Sequence, residues 1–283
     1  MKLDTYITTS TGQRVHFDDE RLQASLKRVG AKPDVIAHII DQVKSMIYDG
    51  ISTHKIYALA FKLLRDTSRP VAARYSLKKA LMELGPSGFP FEIYFAQLLA
   101  EEGYSVKNDQ IIQGHCVTHE VDVVAEKNNT LHFIECKYHN SRGIIADVKV
   151  PLYIHSRFND IVAHQKLQKE NEGKQFKGWV VTNTRFSTDA VQYGLCSGLE
   201  LVAWDFPEND KSLKKRIDAT KLYPITCLTT LTGAEKQTLL NQKIVLCRTL
   251  DKNEKLLTGL GIKATRLKAI LDECALLCSM EMK

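Results

Sequence analysis

Long apolar runs are missing from this chain. No stretch approaches the roughly 18–20 residues that a bilayer-spanning helix needs, so no membrane association is expected. The opening MKLDTYITTSTGQ has no apolar segment of the kind that marks a secretory signal. Internal repeats and low-complexity tracts are absent too, which excludes a solenoid or a mainly disordered chain. The seven cysteines (116, 136, 196, 227, 247, 274 and 278) lack the spacing of a disulfide framework, and reduced thiols in a cytoplasmic protein are the expectation. Nor does one charge dominate: the net +6 is compatible with a polyanionic partner without pointing to one.

What is present is an ordinary globular composition, 44% hydrophobic and 25% charged over 283 residues, a length that suggests two or three domains. ITTSTGQRVHF (7–17) reads as two short strands about Thr11-Gly12. FDDERLQASLKRVG (17–30) carries Leu22, Leu26 and Val29 at helical spacing behind the N-cap candidates Asp18 and Asp19. DVIAHIIDQVKSMIYDG (34–50) has a broad apolar stripe that Gly50 would stop. Ser52 or Thr53 caps ISTHKIYALAFKLLRD (51–66), and Pro70 introduces VAARYSLKKALMELG (71–85). Residues 1–85 thus read as a small β-element followed by four helices.

Gly85-Pro86-Ser87-Gly88 is the clearest break. Beyond it, PFEIYFAQLLAEEGYSV (90–106) reads as a helix running into a strand. EVDVVAE (120–126) and LHFIECK (131–137) read as strands about the turn KNNT. KGWVVTNTRF (177–186) is a strand with a tight exit, DAVQYGLCSGL (189–199) a helix and ELVAWDF (200–206) a second buried strand. This alternation predicts an α/β sheet of mixed direction. A charged connector, PENDKSLKKRIDATKLYP (207–224), leads into helices over 233–282 with a turn at Gly259 and Gly261.

One strand carries the chemistry. Side chains at i and i+2 share a face, so Glu135 and Lys137 stand together, with Ile134, Cys136 and Tyr138 on the other face. Asn128-Asn129 suits a two-residue type I′ turn, which sets Lys127 opposite Thr130, Asp122 opposite Glu135 and Glu120 opposite Lys137. Facing like charges destabilise a sheet. A divalent cation shared by Asp122 and Glu135, with water and phosphate oxygens around it, would compensate them. Lys137 would then stabilise an oxyanion or orient a water. A solvated polar face with an ordinary Glu–Lys pair is the plain alternative. A further one is zinc: Cys116–His119 and Cys136–His139 are two CxxH pairs separated by sixteen residues, although Cys136 also fits a small buried thiol.

Asp122, followed thirteen residues later by Glu135-Cys136-Lys137, resembles the D…(D/E)xK signature of the PD-(D/E)xK nuclease superfamily. The flanks strengthen the likeness. GFPFEIYFAQLLAEEGYSV (88–106) looks like the opening helix of Mrr-like restriction endonucleases, and GWVVTNTRFSTDA (178–190) with LELVAWDF (199–206) resembles their closing strand–helix–strand unit. The resemblance implies catalytic roles for Glu92, Asp122, Glu135 and Lys137, with Asp122 and Glu135 as ligands of Mg²⁺ (or Mn²⁺) and DNA as substrate. Lys149 and Gln165 lie downstream, where a phosphate contact or a solvated helix face are both open.

TGQRVHFDDERLQASLKRVG (11–30), YDGISTHKIYALAFKLL (48–64) and RPVAARYSL (69–77) resemble the ATP-cone, a nucleotide-sensing domain of ribonucleotide reductases. That likeness implies ATP or dATP as an effector, near Thr9, Ser10, Arg21 and Thr53. Where cones carry a Lys-Arg pair before the Gly turn, this chain has Thr9 and Ser10, which supply no charge for phosphate. TGLGIKATRLKAILDEC (258–274) resembles part of a helix-hairpin-helix, with Lys263 where a second glycine is expected. A plain helical bundle, covering the sheet domain or pairing with a second copy as a homo-oligomer, is the other reading.

The expectation is a multidomain α/β protein. It has a mostly helical ATP-cone-like domain over 1–86, a central restriction-endonuclease-like mixed sheet over 87–206 and a helical region over 207–283. The expected function is a metal-dependent DNA endonuclease that a nucleotide regulates, and the alternative is a non-cleaving nucleic-acid-binding or regulatory protein on the same fold.

Overall fold

The computed structural model describes residues 5–9, 12–141 and 143–279. Ser10 and Thr11, which the sequence places at the nucleotide set and the first turn, lie outside them.

The chain opens with β1 (Tyr6–Thr8) and β2 (Arg14–His16), an antiparallel pair, then α1 (Asp19–Arg28) and α2 (Pro33–Met46). Asp18 caps α1, accepting from the Arg21 N–H at 3.2 Å, and Leu22 and Leu26 face the core. Ile36, Ile39 and Val43 bury the α2 stripe, which ends at Met46, short of the expected stop. Gly50, at φ 83°, instead turns the chain into β3 (Ile51–Ser52), which runs parallel to β1 and was not legible as a strand. Helix α3 (Thr53–Thr67) follows, then α4 (Arg69–Tyr75) and α5 (Leu77–Met82), which the sequence reads as one helix. The cap of α3 is Ser52, accepting from the Lys55 N–H at 3.3 Å, and Thr53 is its first helical residue.

The middle of the chain builds a five-stranded sheet in the order β10-β8-β6-β5-β4. Helix α6 (Phe89–Glu101) leads into β4 (Ser105–Gln113), longer than its polar sequence suggests, then β5 (Thr118–Lys127) and β6 (Thr130–Lys137). After β7 (Ile145–Ala146) come α7 (Lys149–Gln165), β8 (Gln175–Thr182), β9 (Arg185–Phe186), α8 (Thr188–Cys196), β10 (Glu200–Val202) and α9 (Leu213–Thr220). β4, β5 and β6 pair antiparallel, while β6, β8 and β10 are parallel. Helices cover both sheet faces. Phe95 of α6 meets Trp179 of β8, whose indole N–H donates to His132 at 3.1 Å. On the other face Ile154 and Phe158 of α7 pack with Val180, Leu199 and Leu201.

The chain ends in α10 (Gly233–Asn241), α11 (Cys247–Asp251), α12 (Lys255–Thr258) and α13 (Ala264–Ser279). A helical N-terminal region, a central mixed α/β sheet and a helical C-terminal region are therefore present in that order. Two compact units emerge: one joins residues 1–80 to 223–239 and 246–283, the other takes 81–222 and 240–245. No helix among the described residues is long and apolar enough to cross a membrane.

Candidate active site

Asn128 and Asn129 take φ of 51° and 58°, the left-handed pair that a type I′ turn requires, and Lys127 faces Thr130. The ladder runs from there to Val123–Ile134 and then stops, so Asp122 and Glu135 lie one step beyond its last pair. On the other side the β4–β5 ladder skips Asp109 and Asp122, where Asp109 adopts φ 52°. Val121 and Val124 both join the apolar cluster around Phe133 and Ile161, so the alternation of β5 slips at Asp122. Irregularities of this kind re-aim a side chain next to a site. The freed Asp122 carboxylate accepts the Cys136 N–H at 2.6 Å in place of a strand partner. Glu120 and Lys137 lie beyond the end of the β5–β6 ladder and do not form a pair in it; on its other edge Glu120 pairs with Ile111 of β4.

Glu135 and Lys137 do stand together: Lys137 Nζ is 2.6 Å from Glu135 Oε1. The face is not solvated, because β6 is the central strand and Phe133, Ile134, Glu135 and Cys136 are all buried. A buried carboxylate needs partners, and the second comes from α7: Arg157 Nη1 donates to Glu135 Oε2 at 2.7 Å. Arg157 was missed in the sequence, where nothing marks which basic residue of a helix reaches a strand 22 positions away. A small void of ≈ 20 Å³ lies beside this pair, lined by Glu135, Arg157, Val121 and Phe158. At the strand exit, buried Asn183 holds His139 by two bonds, 2.9 Å from its N–H and 2.7 Å to its C=O.

Glu92, in the first turn of α6, joins the electrostatics of this cluster. Burial, with the charges of Asp122 and Glu135 close by, pushes its carboxyl up to about 7. Burial and the charge of Glu135 push Asp122 up to about 6, against the pull of the Cys136 N–H, Lys137 and Arg157. Three carboxyl groups thus share this cluster with two cations, Lys137 and Arg157, and burial favours the neutral form of Glu92 and Asp122.

The zinc arrangement is not formed. His119 is bound to Asp160 at 2.7 Å, the exposed Cys116 donates its N–H to the same carboxylate at 2.8 Å, and Cys136 is buried in the sheet. Among the described residues no group of three or more His, Cys, Asp or Glu side chains could hold a metal ion, which applies to the carboxylate cluster as well. Lys149 is exposed at the start of α7, and Gln165, at its far end, accepts from Asn171 at 2.8 Å.

The nucleotide set of the cone is looser. Thr9 braces the β1–β2 connection, accepting from the Gln13 N–H at 3.1 Å and the Gly12 N–H at 3.0 Å. Arg21 lies 3.2 Å from Asp18 with its side chain 87% exposed. Thr53 is half-buried at the start of α3.

Comparison with known proteins agrees with the two ends of this architecture. Residues 5–82 match the family model of the ATP cone domain, and residues 223–278 match the model described as AF1548-like, C-terminal. The chain thus joins an ATP cone domain to an AF1548-like C-terminal segment. An uncharacterized protein of Archaeoglobus fulgidus is 33% identical over 179 residues, 63% of this chain and 96% of that protein. The crystal structure of the protein of unknown function AF1548 superposes with a TM-score of 0.55 at 30% identity, covering 68% of this chain and 98% of that one. The chain belongs to this AF1548-like family. Looser likenesses link it to the MspJI restriction endonuclease in complex with a 27-mer oligonucleotide (12% identity, 61% of this chain, 36% of that chain, TM-score 0.33). Another links it to Can2 from Sulfobacillus thermosulfidooxidans in complex with cyclic tetra-adenylate (18% identity, 65% of this chain, 48% of that chain, TM-score 0.29). At that level of superposition neither carries information about the chemistry of this chain.

Proposed function

We propose that this chain is a metal-dependent DNA endonuclease that hydrolyses phosphodiester bonds at the Glu92–Asp122–Glu135–Lys137 cluster, within residues 87–206. The observation that carries this reading is the pair of carboxylates at a break in the ladder, beside a lysine, with a third carboxyl, Glu92, close enough to feel their charge. Asp122 and Glu135 would hold Mg²⁺ or Mn²⁺, with phosphate and water oxygens completing a shell that the side chains alone do not fill. The bound ion supplies Lewis acidity and a water of lowered pKa.

The residues of the chain do the rest. The Cys136 N–H and Arg157 hold the two carboxylates in place. Lys137 neutralises charge that builds on the phosphate. Glu92, with a carboxyl near 7, can hold or release a proton at neutral pH. A nucleotide, ATP or dATP, at Thr9, Ser10, Arg21 and Thr53 would regulate the cut.

Cleavage of plasmid DNA with Mg²⁺ or Mn²⁺, with and without ATP, tests the reading. Asp122→Ala should abolish cutting, and Lys137→Ala should slow it by about a hundredfold or more with DNA affinity within a few-fold. A second reading, a protein that binds nucleic acid without cutting it, is favoured by one observation: both oxygens of Glu135 are already engaged by cations. It prevails if wild type and Asp122→Ala bind DNA alike and neither cuts.

A further inference from the structure

Within the unit that holds the cone, an open cleft of ≈ 650 Å³ is lined by Arg65, Asp66, Arg69, Thr229, Thr230 and Arg266. That volume is in the range of small-molecule sites. Its two sides differ in chemistry. On one, Arg65 in the last turn of α3 has a single loose contact, 3.8 Å to neighbouring Asp66, and Arg69 makes no hydrogen bond or ion pair among the described residues. Two exposed guanidinium groups with little to bind are a phosphate-seeking pair.

The other side is rigid and rich in acceptors. Buried Glu273 accepts from four donors of the Thr229–Thr230 turn: the Thr229 N–H, shared between both oxygens at 2.9 and 3.1 Å, the Thr230 N–H at 3.0 Å and the two hydroxyls at 2.8 and 2.7 Å. Arg266 is fixed by both oxygens of Glu235, at 2.8 Å each, and by the Thr230 carbonyl at 3.0 Å. Because both hydroxyl protons go to Glu273, the threonine oxygens have only lone pairs left to offer. The threonine oxygens therefore suit O–H and N–H donors, beside an Arg266 guanidinium whose charge is met by Glu235.

We propose that this cleft binds a nucleoside phosphate, with its phosphate on Arg65 and Arg69 and its sugar or base donors on the threonine wall. The site is separate from the nucleotide set of the cone. Thr53 and Arg65 stand near opposite ends of α3, about 18 Å apart along the helix.

Calorimetric titration of the full chain with AMP, ATP, tripolyphosphate and a single-stranded oligonucleotide tests it. Arg65→Ala with Arg69→Ala should weaken AMP binding by about tenfold or more, with melting temperature held within about 2 °C. Thr53→Ala should leave AMP binding unchanged, and tripolyphosphate should bind more weakly than ATP. The proposal falls if wild type binds no AMP, if the double variant binds it as before, or if Thr53→Ala removes it. Tripolyphosphate as tight as ATP would overturn the role of the threonine wall. Binding of the oligonucleotide alone, lost in the double variant, would overturn the ligand class.

Discussion

In the middle of the sheet, the carboxylates are held by specific partners, from the same strand and from neighbouring elements. Lys137 and Arg157 grip Glu135 from β6 and α7, and Asp122 takes the N–H that its neighbour strand gave up. In the cone, Arg21 reaches one helical turn to Asp18 and otherwise faces water, while Thr9 braces a local turn and Thr53 is the first residue of α3. The difference is one of dielectric. Buried charges interact strongly enough to shift each other's protonation, whereas exposed ones are screened. Burial itself, and after it the charge of neighbouring carboxylates, puts Glu92 and Asp122 far above the usual carboxylate range.

This contrast can be broken by substitution. Arg157→Ala leaves Glu135 with Lys137 alone and should cost about 2 kcal/mol in urea unfolding, the range of a lost hydrogen bond to a charged group, together with most of the proposed cleavage. An unchanged unfolding midpoint would mean that the pair is not held in solution. Glu92→Gln tests the protonation argument. A carboxyl whose folded value, about 7, lies above its ordinary value is neutral and costs nothing at pH 4, and its ionisation weighs on the fold as pH rises toward 7. The variant should therefore gain about 1 kcal/mol at pH 8, discounted for partial exposure, and nothing at pH 4. Equal effects at both pH values would remove burial as the cause. Smallest is the cone: Arg21→Ala should move stability by less than about 0.5 kcal/mol. Thr9→Lys with Ser10→Arg should raise ATP affinity by about tenfold if a phosphate lies there, and no change in titration would empty that site.

Local features were the legible ones. Asn128-Asn129 and the alternation on either side of it fixed the hairpin register, and i, i+2 spacing placed Glu135 beside Lys137. What tertiary contact decides was not legible. A polar alternative for β6 survives in the sequence because its central place depends on β8, some forty residues away. Arg157 and Asp160 reach the strands from a helix whose rotation no local pattern sets. The slip at Asp122 depends on Asp109, whose left-handed backbone has no glycine to announce it. β3 is two residues long and exists only because β1 lies beside it.

The unit that contains the cone is assembled from both ends of the chain, and Thr226 Oγ1 bonds back to the Ala80 carbonyl at 2.7 Å. During synthesis, the whole intervening stretch from 81 to 222 emerges from the ribosome before that bond can close. At about 5–20 residues per second, the helices of the cone spend roughly 7–30 s without their later partners. The sheet, whose strands all lie inside that stretch, has its parts in hand first.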